Sequence, residues 1–442
     1  MNSMVAIENI RSRGARKAAS PSFATTRLLM WLMLLPAIVD YKPKGAQDWT
    51  TILYAILFVI SACASFALIG QYRMRSNRGA MLAGIIALAF AAVTYTSGIL
   101  RGQDEIALLR AMPPILLFSL GMFSAAALSN APFPPEAIFN EIQKATGIGL
   151  LINLILVASI TGIDFETIRY QVLTGGAPLV CASMIALLMF GGWRPWSIAT
   201  SLLYASLVLI SITRTHVVIA AVLVLFSLLF AGEKVIRGRA LPLQILAVLA
   251  LVGAVLVADA VLPTSPLERW TQRIFSAQEH HGYDITAVTR AGETGYQIGK
   301  LKESVPGLMF GYGASASNFY DGENARIIAL LLGKKSAYWT ETGVGHNNYV
   351  GTIYIGGIIF GGALLLLQVR SLLKSISIFR ALKKHDLDAH RLASIASMPL
   401  GVVAFMAFGF LGGTMGSRSA CLLFGLAIGF SFWIAKRLKT AS

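Results

Sequence analysis

The segment from Gly343 to Gly357, GVGHNNYVGTIYIGG, places a histidine and two asparagines where a long polar stretch meets an apolar run. The imidazole of His346 can accept a proton near neutral pH, because the ordinary pKa of histidine is about 6.5. Asn347 or Asn348 can cap the helix that the apolar run predicts. The N-terminus of such a helix offers positive potential, which attracts an anionic substrate and favours a neutral imidazole. His346 is therefore a candidate general base.

An arginine and two glycines upstream of this histidine could bind an anion. Arg290 opens the stretch TRAGETGYQIGKLKESVPGLMFGYG, with Glu293 one turn later and Gly311 and Gly313 at its end. A guanidinium group binds phosphate through two parallel hydrogen bonds and keeps its charge at neutral pH. Glycines permit positive φ and a close approach of the backbone to a ligand. An isolated arginine in a polar loop is usually a solvated charge, so the interpretation depends on these neighbours.

The composition indicates a membrane protein rather than a soluble globular domain. Mean hydropathy is +0.68, only 13% of the residues are charged, and apolar runs long enough to cross a bilayer recur along the chain. The net charge of +16 does not indicate nucleic-acid binding, because the basic residues fall in short clusters between apolar runs. Cys63, Cys181 and Cys421 lie inside apolar runs, a pattern that predicts neither disulfides nor a metal site.

Hydropathy predicts an all-α polytopic membrane protein of about twelve transmembrane helices. Clusters of Lys and Arg fall in alternate loops, on one side of this arrangement, which predicts that both termini are cytoplasmic. The first, fifth and sixth spans are short, which favours tilted, broken or partly re-entrant helices. The predicted spans are 25–39, 51–71, 79–100, 107–128, 147–161, 177–192, 197–213, 216–231, 241–261, 349–369, 394–413 and 418–435.

This topology divides the chain into four parts: a basic cytoplasmic tail (1–24), nine transmembrane helices (25–261), a large outer loop (262–348), and three final helices with a cytoplasmic C-terminus (349–442). So long a loop is usually functional or disordered, and its residues 267–275 and 289–304 have the pattern of short helices at the interface. Arg214, in SITRTHVVIAA, also falls on the outer side. An arginine at a helix end is often a topology or snorkelling residue, but this is the wrong side for a topology signal.

At these positions the chain resembles the superfamily of bacterial O-antigen ligases and O-antigen polymerases. The family motif is His, a polar residue such as Asn, two variable residues, Leu, six variable residues and Gly. Here it reads His346, Asn347, Asn348, Tyr349, Val350, residues 351–356 and Gly357, with Val in place of the usual Leu. Residues 306–313 resemble an upstream Pro-x-x-x-x-Gly-x-Gly element of the family, and Arg290 and Arg214 resemble two of its arginines. The resemblance covers residues 214 to about 367.

The resemblance implies a membrane glycosyltransferase that moves a glycan from an undecaprenyl-diphosphate donor to an acceptor sugar hydroxyl. His346 would accept the proton of that hydroxyl, and Arg214 and Arg290 would hold the diphosphate. The supporting residues would be Asn347, Glu293, Gly311 and Gly313. No DxD-type acidic pair occurs in the outer loop, so neither a divalent metal nor another cofactor is expected. The expected partners are the lipid-linked donor, an acceptor glycan or lipid A-core, and the bilayer of the bacterial inner membrane, with the site facing the periplasm.

Several alternatives remain open at this point. Ligase and polymerase differ in the acceptor, which is a lipid A-core sugar for one and the next repeat unit of the growing chain for the other. A protein O-oligosaccharyltransferase is a third member of the same class. A transporter or flippase also fits twelve helices, but transporters usually carry ionisable residues at mid-membrane and broken helices in repeated halves. The clearest charge within a span, Arg110, lies near its outer end. A membrane scaffold would not require the His-Asn element.

Overall fold

The computed structural model describes residues 22–41, 48–72, 77–161, 171–211, 213–231, 268, 270–272, 282–320, 322–333, 341–382 and 388–441. Most of these residues are α-helical. Two short strands, β1 (Ser317–Asn318) and β2 (Glu341–Thr342), pair antiparallel. The helices are α1 (Phe23–Met33), α2 (Leu35–Ile38), α3 (Asp48–Tyr72), α4 (Arg78–Leu100), α5 (Glu105–Leu128), α6 (Pro135–Thr161), α7 (Ala177–Phe190), α8 (Pro195–Ser211), α9 (Arg214–Ala231), α10 (Ile285–Glu303), α11 (Val305–Phe310), α12 (Gly322–Leu332), α13 (Asn348–Gly356), a π-helical segment (Gly357–Gly361), α14 (Gly362–Leu382), α15 (Ala389–Leu411), a 3₁₀ turn (Thr414–Gly416) and α16 (Arg418–Ala441).

Seven helical stretches in the described part of the chain are long and apolar enough to cross a membrane. They are α3, α4, α5, α6, the continuous stretch Asn348–Leu382, α15 and α16. Helices α7, α8 and α9 are apolar but shorter. The chain is therefore a multi-pass, all-α membrane protein. Each predicted span within the described residues coincides with helix, whereas the span 241–261 lies outside them, and the count of twelve stays a prediction.

Two of the predicted spans differ in detail from the helices. Helix α6 begins at Pro135 and has 27 residues, so the prediction of a short fifth span near residue 147 is wrong. Hydropathy does not identify the first turns of α6 as part of a span, because they contain polar residues. In the structure these polar groups are paired. Glu141 accepts hydrogen bonds from Arg27 Nε and Trp31 Nε1, both at 2.9 Å. The first span is broken into α1 and α2, and Pro36, which has no N–H to donate, lies at the start of α2.

Small residues bring α5 and α16 into close contact near the centre of the molecule. The apolar part of α16 is 94% buried. A Cβ atom added to Gly121 would overlap the carbonyl oxygen of Leu422, and one added to Gly425 would overlap that of Phe118. Small residues at such crossings let two helix backbones approach closely in a membrane. These contacts hold α5 and α16 together along their buried faces.

Segments that the charge pattern assigns to one side of the membrane lie together in the structure. On the predicted outer side, Gln103 Nε2 donates to the carbonyl oxygen of Tyr312 at 2.7 Å. On the predicted inner side, Arg391 Nε lies 3.1 Å from Glu136 Oε1. The predicted alternation of loops is thus consistent with the packing. Which compartment each end faces stays a prediction.

Candidate functional site

His346 and Glu293 form a hydrogen-bonded pair between the loop before α13 and the middle of α10. The Nδ1 atom of His346 lies 2.9 Å from Glu293 Oε2. The backbone N–H of His346 also donates to this carboxyl group, at 3.3 Å to Oε1 and 3.2 Å to Oε2. The side chain of Glu293 is 6% exposed, whereas that of His346 is 41% exposed. The carboxyl group is therefore a buried support, and the imidazole is the accessible partner.

This contact fixes which ring nitrogen of His346 can act as a base. An ionised carboxyl group accepts hydrogen bonds and donates none, so Nδ1 carries the proton when Glu293 is a carboxylate. In the neutral imidazole the lone pair then belongs to Nε2. A carboxylate behind Nδ1 also stabilises the imidazolium that forms when Nε2 takes up a proton. The pair is suited to general base catalysis.

Glycines shape the loop that carries His346. Gly343 and Gly345 have φ of +91° and +71°, a left-handed conformation that is costly for other residues. A Cβ atom on Gly345 would also overlap Oε1 of Glu293. The two glycines before the histidine therefore serve two purposes. Both permit the turn, and Gly345 also leaves room for the carboxyl group of Glu293.

The start of α13 is capped as the sequence predicts. Asn347 Oδ1 accepts from the backbone N–H groups of Tyr349 and Val350, at 3.1 and 3.3 Å. Asn348 has a different function, since its Oδ1 accepts from the backbone N–H of Met415 at 3.0 Å. The cap stabilises the helix N-terminus, and the second bond ties it to the turn before α16. His346 is held just before a rigid helix end.

A second polar side chain of α10 holds the loop from behind. Gln297 Nε2 donates to Asn318 Oδ1 at 2.9 Å and to the carbonyl oxygen of Val344 at 3.2 Å. Asn318 Nδ2 in turn donates to the carbonyl oxygen of Gly343 at 3.0 Å. Gln297 and Asn318 are both buried. Buried and largely paired polar groups of this kind restrict a loop to one conformation.

Arg290 lies on the same face of α10 as the residues that contact the loop. It precedes Glu293 by three positions and Gln297 by seven, spacings that align side chains along one face of a helix. Its side chain is half-buried. The structure thus places Arg290 on the side of α10 that carries the carboxyl partner of His346.

Arg214 forms an ion pair at the start of α10. Its Nη1 and Nη2 atoms donate to Oδ2 and Oδ1 of Asp284 at 2.9 and 3.3 Å. Asp284 is the N-cap of α10, and its Oδ1 accepts from the backbone N–H of Thr286 at 2.9 Å. Burial raises the pKa of Asp284, but the hydrogen bond and charge of Arg214, with two backbone N–H groups, outweigh burial and hold the pKa below its ordinary value. Arg214 therefore anchors the helix that carries Arg290 and Glu293.

Gly311 and Gly313 permit a close approach, but in this structure the approach is to the protein itself. Their φ angles are +79° and +96°. A Cβ atom on Gly311 would overlap the carbonyl oxygen of Ile355, and one on Gly313 would lie 2.5 Å from the Cα atom of Gly98. Packing against the protein therefore explains these glycines without a ligand. These glycines pack the segment after α11 against α13 and α4.

Sequence reasoning did not identify Asp284 or Gln297. The position of Asp284 before an amphipathic helix is an N-cap signal that could have been found. Gln297 gives no such signal, because its partners are defined only once the loop has folded.

Among the described residues, no three His, Cys, Asp or Glu side chains come together as a metal site. Within the predicted outer loop, residues 262–267, 269, 273–281, 321 and 334–340 lie outside the described residues. Comparison with protein-family models and with curated protein sequences finds no match for this chain.

Proposed function

We propose that this protein is a membrane glycosyltransferase of the O-antigen ligase or polymerase type. The observation that carries the proposal is the pair of His346 and Glu293, with Nδ1 and Oε2 2.9 Å apart. An accessible imidazole backed by a buried carboxyl group is a general base positioned for a substrate hydroxyl. Its location at the end of a membrane helix suits a donor that is itself held in the bilayer.

In the proposed reaction, Nε2 of His346 takes the proton from the acceptor hydroxyl. The hydroxyl oxygen forms a bond to the anomeric carbon of the donor sugar, and the bond from that carbon to the diphosphate oxygen breaks. The electron pair leaves with undecaprenyl diphosphate, and the imidazolium later loses its proton to water. Glu293 stabilises the positive ring throughout this step.

Negative charge grows on the leaving diphosphate, and arginines are suited to stabilise it. Arg290 is the arginine whose helical position lies beside the pair. Arg214 uses two of its N–H donors on Asp284, and the guanidinium group has five in total. We propose that its remaining donors contact the diphosphate while the ion pair positions α10. No metal is required in this scheme.

The seven candidate spans support the membrane setting of the proposal. Within the proposal, the membrane is the bacterial inner membrane, the site faces the periplasm and both termini are cytoplasmic. The acceptor is a lipid A-core sugar for a ligase and the next repeat unit of a growing chain for a polymerase.

The proposal is tested in a strain from which the gene has been deleted, by separating its surface polysaccharide on a gel. Wild-type protein should restore the polysaccharide, and His346→Ala should not, although it accumulates in the membrane to the same level. His390→Ala is the matched control, because His390 bonds to Asn140 on the opposite side of the molecule and should restore fully. A lost polymerase leaves single repeat units on the acceptor, and a lost ligase leaves polymer on its lipid carrier. Full restoration by His346→Ala would refute the catalytic assignment.

A further inference from the structure

Helix α11 presents an apolar face that no described part of the protein covers. Val305 is 72% exposed, Leu308 and Met309 are each 38% exposed, and Phe310 is 48% exposed. Positions 305, 308 and 309 follow the spacing of one helix face. Gly307, on the other side, is buried against the protein. The sequence places this helix in a loop facing water, where so many exposed apolar side chains are unfavourable.

The height of α11 is fixed by the helices that cross the membrane. A Cβ atom on Gly357, in the π-helical segment, would overlap the carbonyl oxygen of Met309. Ser97 Oγ, near the end of α4, donates to the carbonyl oxygen of Phe310 at 3.2 Å. The backbone N–H of Tyr312 donates to the carbonyl oxygen of Tyr354 at 2.8 Å. The helix is therefore locked at the level where α4 ends, inside the first turns of the span that begins with α13.

The apolar face of α11 adjoins the lipid-facing surface of those same spans. Ile99 and Leu100 at the end of α4 are 49% and 81% exposed, and Ile358 and Ile359 of the π-helical segment are 51% and 43% exposed. The contacts of Phe310 with Ser97 and of Met309 with Gly357 place α11 at the end of these spans that carries the exposed side chains. In a candidate transmembrane helix, exposed apolar side chains face hydrocarbon.

We propose that α11 is an interfacial helix whose apolar face is inserted into the edge of the bilayer, with acyl chains as its occupant. The residues just before α11, which would lie in water, are polar. Lys302 and Glu303, just before α11, are exposed, and basic residues next to an apolar face are typical of helices that lie in the interface. Ser304 joins α10 directly to α11 and caps it, accepting from the N–H of Gly307 at 3.1 Å.

Insertion of α11 sets the height of the candidate site above the membrane. Residues 311–313, directly after α11, contact α13 at Tyr354 and Ile355, and Asn348 lies about 10 Å further along the helix axis at ~1.5 Å a residue. His346 is therefore held above the hydrocarbon edge, at the depth of the lipid headgroups or just beyond it. Since α10 and α11 are joined at Ser304, the lipid anchor also fixes α10. The inference concerns membrane depth alone and holds whichever reaction the site performs.

The test uses nitroxide spin labels on single cysteines, with the protein in nanodiscs of phosphatidylethanolamine and phosphatidylglycerol. Cys63 is exposed and is replaced by alanine, while Cys181 and Cys421 are buried and do not react. Labels are placed by Val305→Cys and Phe310→Cys, and collision rates with oxygen and with a water-soluble nickel chelate are measured. Two reference sites bracket the result: Ile56→Cys on the exposed face of α3, and Lys302→Cys.

The labels at 305 and 310 should collide with oxygen at least severalfold more often than with the nickel chelate, as at position 56, and position 302 should show the reverse. A high nickel collision rate at 305 and 310 would mean that α11 lies in water, and would overturn the inference. Low collision rates with both reagents, with spectral broadening between labels of two molecules, would mean that a second copy covers the face, and would also overturn it. Val305 is the more exposed of the two sites, so a label there disturbs the packing of the protein less, and its collision rates are the more direct measure of its surroundings.

Discussion

Replacing Glu293 by glutamine removes the charge of the pair while keeping its shape. The carboxyl group accepts from both Nδ1 and the backbone N–H of His346, and an amide offers only one oxygen for these donors. If the amide oxygen faces Nδ1, the NH₂ group meets the backbone N–H in a buried position. If it is turned the other way, the imidazole proton must move to Nε2, and the base is lost. Either arrangement weakens catalysis.

The expected loss in kcat is about 10²–10⁴-fold, the usual contribution of a general base, or about 3–5 kcal/mol of activation free energy. KM for the donor should change little, because Glu293 lies behind the imidazole and is almost fully buried. The assay measures transfer of a fluorescent lipid-linked glycan by purified protein in nanodiscs. Glu303→Gln on the same helix is the control, since Glu303 is exposed and forms a surface ion pair with Lys300. A Glu293→Gln variant that keeps more than half of the wild-type kcat would show that the carboxyl group does not support the base.

Three further predictions follow from neighbouring contacts. Gly345→Ala should reduce kcat at least as much as Glu293→Gln, because the added Cβ overlaps Glu293. The control is Gly333→Ala, where φ is +89° and no described atom lies within 4 Å of an added Cβ; it should show only the backbone cost of about 1–2 kcal/mol in a thermal melt. Asp284→Asn should lower stability at pH 7 by about 0.5–1 kcal/mol; because the folded pKa of Asp284 is lowered, the ion pair is complete above its ordinary value of 3.8, and the two melting temperatures should converge as the pH falls below it. A constant difference down to pH 2 would contradict this. Arg290→Lys should raise KM for the donor by about tenfold, since lysine keeps the charge and loses the fork; an unchanged KM would remove Arg290 from the diphosphate site.

The helices could be predicted from the sequence because each span is an apolar run between polar segments. The polar first half of α6 could not be predicted in this way. The charge of Glu141 in these turns is neutralised by partners that are distant in sequence, and hydropathy takes no account of them. The cap at Asn347 was predictable because capping is local, within three residues of chain.

The parts of the site that depend on distant contacts could not be predicted in this way. Glu293 and His346 are 53 residues apart in sequence, and no local pattern specifies that they meet. The sequence indicated that Gly311 and Gly313 need freedom to approach something closely, but not that the partner is the backbone of Ile355 and Gly98. The ion pair of Arg214 with Asp284 belongs to the same class of long-range contact.

The proposed function depends on His346 as the base of a metal-independent glycan transfer. The most direct measurement is single-turnover transfer from an undecaprenyl-diphosphate glycan to its acceptor by purified protein in nanodiscs with EDTA present. The wild-type protein should release undecaprenyl diphosphate in step with formation of the glycosidic bond, and His346→Ala should be slower by about 10²–10⁴-fold with donor binding intact. Transfer by His346→Ala at the wild-type rate, or no transfer by the wild-type protein until a divalent metal is added, would contradict the account.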